Sequence, residues 1–204
     1  MDLTTERDEA EIVKKWLREN GLSIILGLVI GGGGIFGWNY YQGYQAKQNK
    51  LASDGFIQLT TQNAEEYLIA NDKFTSDNSS SVYAVSANMI AAAKAVEVQD
   101  VAKARKSLEW VMQNAKITGF QLLARLNLAR IEINEKNYAE AIKLLQGTDA
   151  KSFAGQYTIT LADAYTKKGD TTKARELYNK AKLLTLENPD ALNLIDMKLN
   201  NLGE

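Results

Sequence analysis

Hydrophobic positions fall into two regimes along this chain. From Asn20 to Ala46, 27 consecutive residues carry no charged side chain, and the centre reads GLSIILGLVIGGGGIFGW. Aromatic residues bracket that run, with Trp16 before it and Trp38, Tyr40, Tyr41 and Tyr44 after it. As a helix, Leu22 to Trp38 would rise about 26 Å, close to the roughly 30 Å hydrocarbon core of a bilayer once the flanking tyrosines are added. Lipid offers the backbone no outside hydrogen-bond partner, so a single spanning segment must be helical. The glycines that weaken a helix in water are common in membrane helices. A buried core helix centred on Gly31-Gly32-Gly33-Gly34 would be poorly stable in water. A cleaved signal peptide opens with a short basic region and ends at a small-residue site. Here about twenty mixed-charge residues precede the run and bulky aromatics follow it. The pattern predicts an uncleaved signal anchor over residues 21–42, with Trp16, Trp38, Tyr40 and Tyr41 as interface anchors.

Beyond the anchor the apolar residues recur at helical intervals. Gln45 to Ala70, with Leu51, Phe56, Leu59, Tyr67 and Leu68, predicts a first packing helix continuing from the membrane segment. Asn71 to Ser81 (NDKFTSDNSSS) is the most polar stretch and reads as a loop with a short helix around Phe74. Ser81 suits the N-cap of the next helix. Helical runs follow near 81–97, 101–114, 117–134, 138–146, 153–168, 171–184 and 189–201, separated by short polar turns. Near-regular spacing and short turns predict antiparallel helix pairs.

The clearest unit is Leu161-Ala162-x-x-Tyr165, then Gly169-Asp170, then Ala174-x-x-x-Tyr178-x-x-Ala181. It resembles a tetratricopeptide repeat, with Ala162 in place of the usual Gly and Tyr178 in place of the usual Phe. Ala162, Ala174 and Ala181 are small where two helices must nearly touch, and Tyr165 and Tyr178 fill the gaps. Gly169 relieves the turn, and Asp170 caps the second helix. One period earlier stand Leu128-Ala129, Asn137-Tyr138, Ala141 and Leu145; earlier still, Ala91-Ala92, Asp100, Ala104 and Leu108. Ala104, Ala141 and Ala174 are 37 and 33 residues apart, near the repeat's period of roughly 34. The repeats are degenerate: no Trp opens them, Glu132 stands where Tyr is usual, and the closing Pro is missing. About three repeats result, capped by the first helix and by Pro189–Leu202. The predicted fold is all-α: one transmembrane helix, then a degenerate tetratricopeptide-repeat solenoid over residues 43–204.

Composition narrows the chemistry. The net charge of −1 leaves no basic field for nucleic acid, and the interleaved acidic and basic residues read as solvated helix faces. The chain has no cysteine and no histidine, which removes disulfides, thiolate nucleophiles, the commonest general base and the commonest metal ligands. No GxSxG, P-loop or dinucleotide-binding arrangement is present, and the glycine run at 31–34 lies inside the apolar span. No catalytic, cofactor or metal residue is assigned, and no small-molecule substrate is expected.

Arg7, Lys14, Lys15 and Arg18 precede the span and only Lys47 and Lys50 closely follow it. That bias predicts a cytoplasmic tail over residues 1–20 and translocation of the rest. Gly27 with Gly31, and Gly33 with Gly37, form small-residue pairs at spacing four, suited to close approach of another membrane helix.

The block Glu11-Ile12-Val13-Lys14-Lys15-Trp16-Leu17-Arg18-Glu19-Asn20-Gly21 leads directly into the span that ends Gly37-Trp38-Asn39-Tyr40-Tyr41. With the degenerate repeats and the ending Met197-Lys198-Leu199-Asn200-Asn201-Leu202, it resembles the bacterial YfgM family over nearly the whole chain. The resemblance implies a single-pass inner-membrane protein with a periplasmic repeat domain. It implies association with the SecYEG channel and with PpiD, a membrane-anchored chaperone, in helping newly translocated proteins reach the periplasmic folding machinery. Repeat domains serve many complexes, so a tethered scaffold for another envelope assembly is the alternative expectation.

Overall fold

The structure is a computed structural model that describes residues 3–203, and side chains from residue 11 onward. The first two residues of the expected tail and the side chain of Arg7 lie outside the described residues. The chain divides into two compact units, Met1–Leu51 and Ala52–Glu204. The division falls inside the first helix, α1 (Leu3–Thr60). Leu51 is exposed, whereas Ala52 and Leu59 are buried and Phe56 packs on the first core cluster of the second unit.

The second unit continues through α2 (Ala64–Asp77), α3 (Val82–Glu97), α4 (Val101–Asn114), α5 (Thr118–Asn134), α6 (Tyr138–Leu145), α7 (Ala154–Lys168), α8 (Thr171–Leu184) and α9 (Pro189–Asn201). A short 3₁₀ turn, Lys151–Phe153, leads into α7. The unit is all-α, and the seven helices from α3 to α9 begin and end within one residue of the runs read from the pattern.

The region before them differs from expectation in two ways. Gln45–Ala70 is not one helix: it breaks between Thr60 and Ala64, where the Asn63 side chain accepts from the Glu66 N–H at 3.0 Å and starts α2. The stretch Asn71–Ser81 is not mainly a loop, because α2 runs on to Asp77. Its buried face reads Tyr67, Leu68, Asn71, Thr75, so half of the inward stripe is polar. Those side chains are held inside by hydrogen bonds. Asn71 donates to Asn88 Oδ1 (3.3 Å), and Asn88 donates to Thr75 Oγ1 (2.7 Å) and to the Ala84 carbonyl (2.9 Å). A polar stripe that hydrogen-bonds to a neighbouring helix has the composition of a loop and the spacing of a helix.

Small residues let the helices approach. Ala84, Ala87, Ala91 and Ala95 make a fully buried stripe on α3, and Ala104, Ala124, Ala129, Ala141, Ala162, Ala174 and Ala181 are likewise at 0% exposure. Larger side chains fill the spaces between them: Tyr67 and Leu59 in the first cluster, Leu108 and Val111 in the second, Leu126 and Tyr157 in the third, Tyr178 and Ile195 in the fourth.

Each repeat turns in the same way. Gln99 (φ 61°), Lys136 (φ 65°) and Gly169 (φ 93°) are left-handed, and each precedes the residue that opens the next helix. The N–H of that residue returns to a carbonyl five residues back: Asp100 to Ala95 (2.8 Å), Asn137 to Glu132 (2.8 Å), Asp170 to Tyr165 (3.0 Å). Asp100 and Asp170 then accept from Lys103 N and Lys173 N, both at 2.9 Å. Ser81 caps α3 through the Tyr83 N–H at 3.1 Å.

Glycine adopts the left-handed conformation without the Cβ penalty that Gln99 and Lys136 bear. Lys136→Gly is expected to raise stability by about 0.5–1 kcal/mol and Gly169→Ala to lower it by a similar amount. Thermal unfolding of the purified chain checks both signs; a Lys136→Gly midpoint below the parent would contradict the turn analysis.

Candidate interaction surfaces

Among the described residues, one helical segment is long and apolar enough to cross a membrane, lying within Glu11–Thr60. Its apolar side chains are bare in the structure: Leu22, Leu28, Val29, Ile30, Ile35 and Phe36 are all more than 60% exposed. Water penalises such a surface at roughly 25 cal/mol per Å², and hydrocarbon does not. Trp16 and Trp38 are both exposed, and 22 helical residues place them about 33 Å apart along the axis, near the depth of a bilayer core. Trp38 and Tyr41 form a tilted ring pair at 6.2 Å, and Tyr40 is 80% exposed beside them. Polar groups at the ends of the span are satisfied within the helix: Asn20 donates to the Trp16 carbonyl (3.0 Å) and Gln45 to the Tyr41 hydroxyl (2.9 Å).

A Cβ built on Gly27, Gly31, Gly33 or Gly37 would meet nothing within 4 Å. The four do not share a face. At about 100° per residue, Gly27 and Gly31 point one way and Gly33 and Gly37 about 120° from them. The helix is thinned on more than one side, so the two pairs suit two neighbours or two sides of an approach.

In the repeat unit the residues read from the motif separate into three environments. Ala129 and Ala141 lie in one cluster, and Ala162, Ala174, Tyr178 and Ala181 in the next. Tyr165 is half-buried and packs against both clusters, joining them. Tyr138 is half-buried and belongs to none of the clusters, leaving its ring at the surface of α6. The Tyr178 hydroxyl donates to Asp163, which also accepts from Lys198 of α9, so the last helix is tied back to α7. Burial, with the Asp163 carboxylate, raises the Tyr178 hydroxyl well above its ordinary range. Burial likewise pushes the Tyr157 hydroxyl up to about 12, and it donates to the Leu122 carbonyl at 2.7 Å. These hydroxyls stay protonated donors within the packing.

Glu132, where the motif usually has Tyr, is the one charged side chain among the buried described residues. Its carboxylate is 5% exposed and accepts from Arg105 Nε and from Asn137 Nδ2, both at 2.8 Å. The interaction joins α4, α5 and the turn before α6. Asn137 uses its side chain here rather than as a helix cap. Burial acts to raise the Glu132 pKa, but the two hydrogen bonds and the Arg105 charge outweigh it, and the carboxyl titrates below its ordinary value. The motif departure marked the position; the pairing with Arg105, 27 residues earlier, left no local signal. No group of three or more acidic, histidine or cysteine side chains that could hold a metal occurs among the described residues.

The chain matches the tetratricopeptide repeat-like domain family over residues 14–204. It is 30% identical over 200 residues to the ancillary SecYEG translocon subunit of Haemophilus influenzae, covering 97% of both chains. It is 26% identical over 201 residues to the protein of the same description from Escherichia coli, and 25% identical over 202 residues to that from Neisseria gonorrhoeae, again over 97% of each chain.

Removing the Glu132 charge tests the buried pair. Glu132→Gln is expected to cost about 1–3 kcal/mol at neutral pH, since Arg105 and Asn137 lose a charged acceptor. Because the folded carboxyl titrates below the unfolded one, this stabilisation is present above the ordinary carboxylate range and fades as pH falls through the folded value. Denaturant unfolding of both proteins at neutral and acidic pH reads the gap; a gap that widens on acidification would refute the assignment.

Proposed function

The chain belongs to the YfgM family of ancillary SecYEG translocon subunits, and from that premise we propose that it works beside the Sec channel as a tethered, non-enzymatic adaptor. The observation that carries the reading is the reach of the family match, which spans the juxtamembrane block, the anchor and the repeats together. Residues 21–42 hold the protein in the bacterial inner membrane, residues 1–20 stay in the cytoplasm, and residues 43–204 fold in the periplasm. Trp16 and Trp38, with Tyr40 and Tyr41, settle at the two interfaces, where amphipathic rings are favoured. Gly27, Gly31, Gly33 and Gly37 let a neighbouring membrane helix come close.

Anchoring raises the effective concentration of the repeat domain at the channel exit without any new contact. Stacked helix pairs then offer an extended surface to a PpiD-like periplasmic chaperone or to an emerging secreted chain. Chemistry is carried by none of the residues in this scheme. The exposed apolar helix, the buried alanines and the satisfied hydroxyls all serve anchoring and packing, as an interaction module requires.

Photocross-linking in intact membranes tests the reading. A probe at Ile35, which is 65% exposed in the apolar helix, is expected to give adducts with channel subunits. A probe at Gln156, exposed on α7, is expected to give adducts with a periplasmic chaperone or a nascent secreted chain. Adducts at both sites only to unrelated proteins, in a correctly inserted chain, would favour a scaffold for another envelope assembly. Orientation is read separately. The chain has no cysteine, so Ser79→Cys should react with an impermeant maleimide in spheroplasts, and Glu11→Cys only after lysis. The reverse pattern would overturn the topology.

A further inference from the structure

Helix α6 is short. It has 8 residues, where α4 and α8, its counterparts in the neighbouring repeats, each have 14. Gly147, left-handed at φ 74°, turns the chain away, and the path to α7 runs through the Lys151–Phe153 turn instead of further helix. Beside the end of α6 lies a groove of about 520 Å³, lined by the loop that follows it and by α7 and α8.

The two helical walls of this groove match in spacing. Ala154, Thr158, Leu161 and Tyr165 line it from α7, and Lys173, Leu177, Lys180 and Leu184 from α8. Both sets have the spacing i, i+4, i+7, i+11, the stripe along which one helix receives another, and each runs about 16 Å, or three turns. Leu184 is 46% exposed, and it adjoins Leu183 and Leu186, exposed at 72% and 64%. Exposed leucines therefore continue from the end of the groove onto the α8–α9 turn.

Charge selects the occupant. Lys151 on one wall and Lys180 on the other have no acidic partner within 4 Å among the described residues, whereas Lys173 is paired with Glu176 at 2.8 Å. Asp149 is the counter-charge on the Lys151 side, where it accepts from the Lys151 backbone N–H at 3.4 Å. An incoming helix would meet Leu161, Tyr165 and Leu184 interleaved with polar side chains, and an ammonium group on either side. A second copy of this chain fits poorly. Its terminal helix α9 exposes only Leu194 and Met197 as large apolar side chains, short of a three-turn stripe.

We infer that the groove beside the shortened α6 is a docking site for an amphipathic helix of a partner protein, about three turns long, with an apolar stripe flanked by Asp or Glu. The partner helix lies in the groove, and its carboxylates pair with Lys151 and Lys180. The inference does not depend on the translocon reading, because its test contains no translocon component.

The probe is a synthetic, fluorescently labelled helical peptide of about four turns, with leucines on one stripe and glutamates flanking it. It is titrated against the full chain in nanodiscs of zwitterionic lipid, with empty nanodiscs as the reference, and anisotropy is read. Saturable binding is expected, weakened about tenfold in Lys151→Glu/Lys180→Glu. The same variant should bind more tightly a peptide whose glutamates are replaced by lysines. Both lysines are exposed, so the variant should keep the helical circular dichroism of the parent. Absence of saturable binding, or equal affinity of parent and variant for the acidic peptide, would overturn the proposal. So would a dimer of the parent that Lys180→Glu dissolves, since the groove would then belong to a second copy.

Discussion

The repeat unit depends on close approach between helices whose facing residues are alanine. Twelve alanines on α3 to α8 have no exposed surface at all. Interaxial distance follows the size of the side chains at the contact, and native packing leaves little room for one more methylene. Everything else in the unit is arranged around these contacts. Tyrosines fill the spaces alanine leaves and hand their hydroxyls to backbone carbonyls or to Asp163, which is how Tyr67, Tyr157 and Tyr178 become buried without stranding a donor.

Close packing also explains where polarity was admitted. Glu132 occupies a position that an aromatic ring would fill, and it is tolerated because Arg105 and Asn137 complete its hydrogen bonds across three elements. Asn71, Asn88 and Thr75 likewise link α2 to α3 by hydrogen bonds. A buried pair of this kind adds little net stability over a hydrophobic filling, yet breaking one partner is costly. It therefore constrains which helices pair more than it strengthens them.

The apolar helix obeys a different solvent. Its side chains are exposed, its glycines meet no neighbour within 4 Å, and its terminal polar groups bond within the helix. Such a segment is consistent with lipid around it. The repeat unit needs no such surroundings, since its apolar side chains have one another. The shortened α6 is the place where that self-sufficiency lapses, leaving two matched helical walls with no third helix of the chain between them.

Much of this was present in the pattern of residues. An uncharged run of 27 residues announces a membrane helix because lipid excludes charge, whatever follows it in the chain. Helices α3 to α9 were legible to within a residue because small and large apolar positions recur at 3.6-residue spacing and end at Asp, Ser and Gly, whose effects are local. Helix α2 was not, since its inward face is partly Asn and Thr and becomes helical in character only against Asn88. The Glu132–Arg105 pair, the placement of the two glycine pairs on different sides, and the groove beside α6 share that reason. Each joins residues distant in sequence or depends on a neighbour's length, and local propensity carries no information about either. The sequence alone determined which segment is long and apolar enough to span a membrane and most of the elements that follow it; which polar groups could be buried, and which surface stayed open, was decided only when the helices packed.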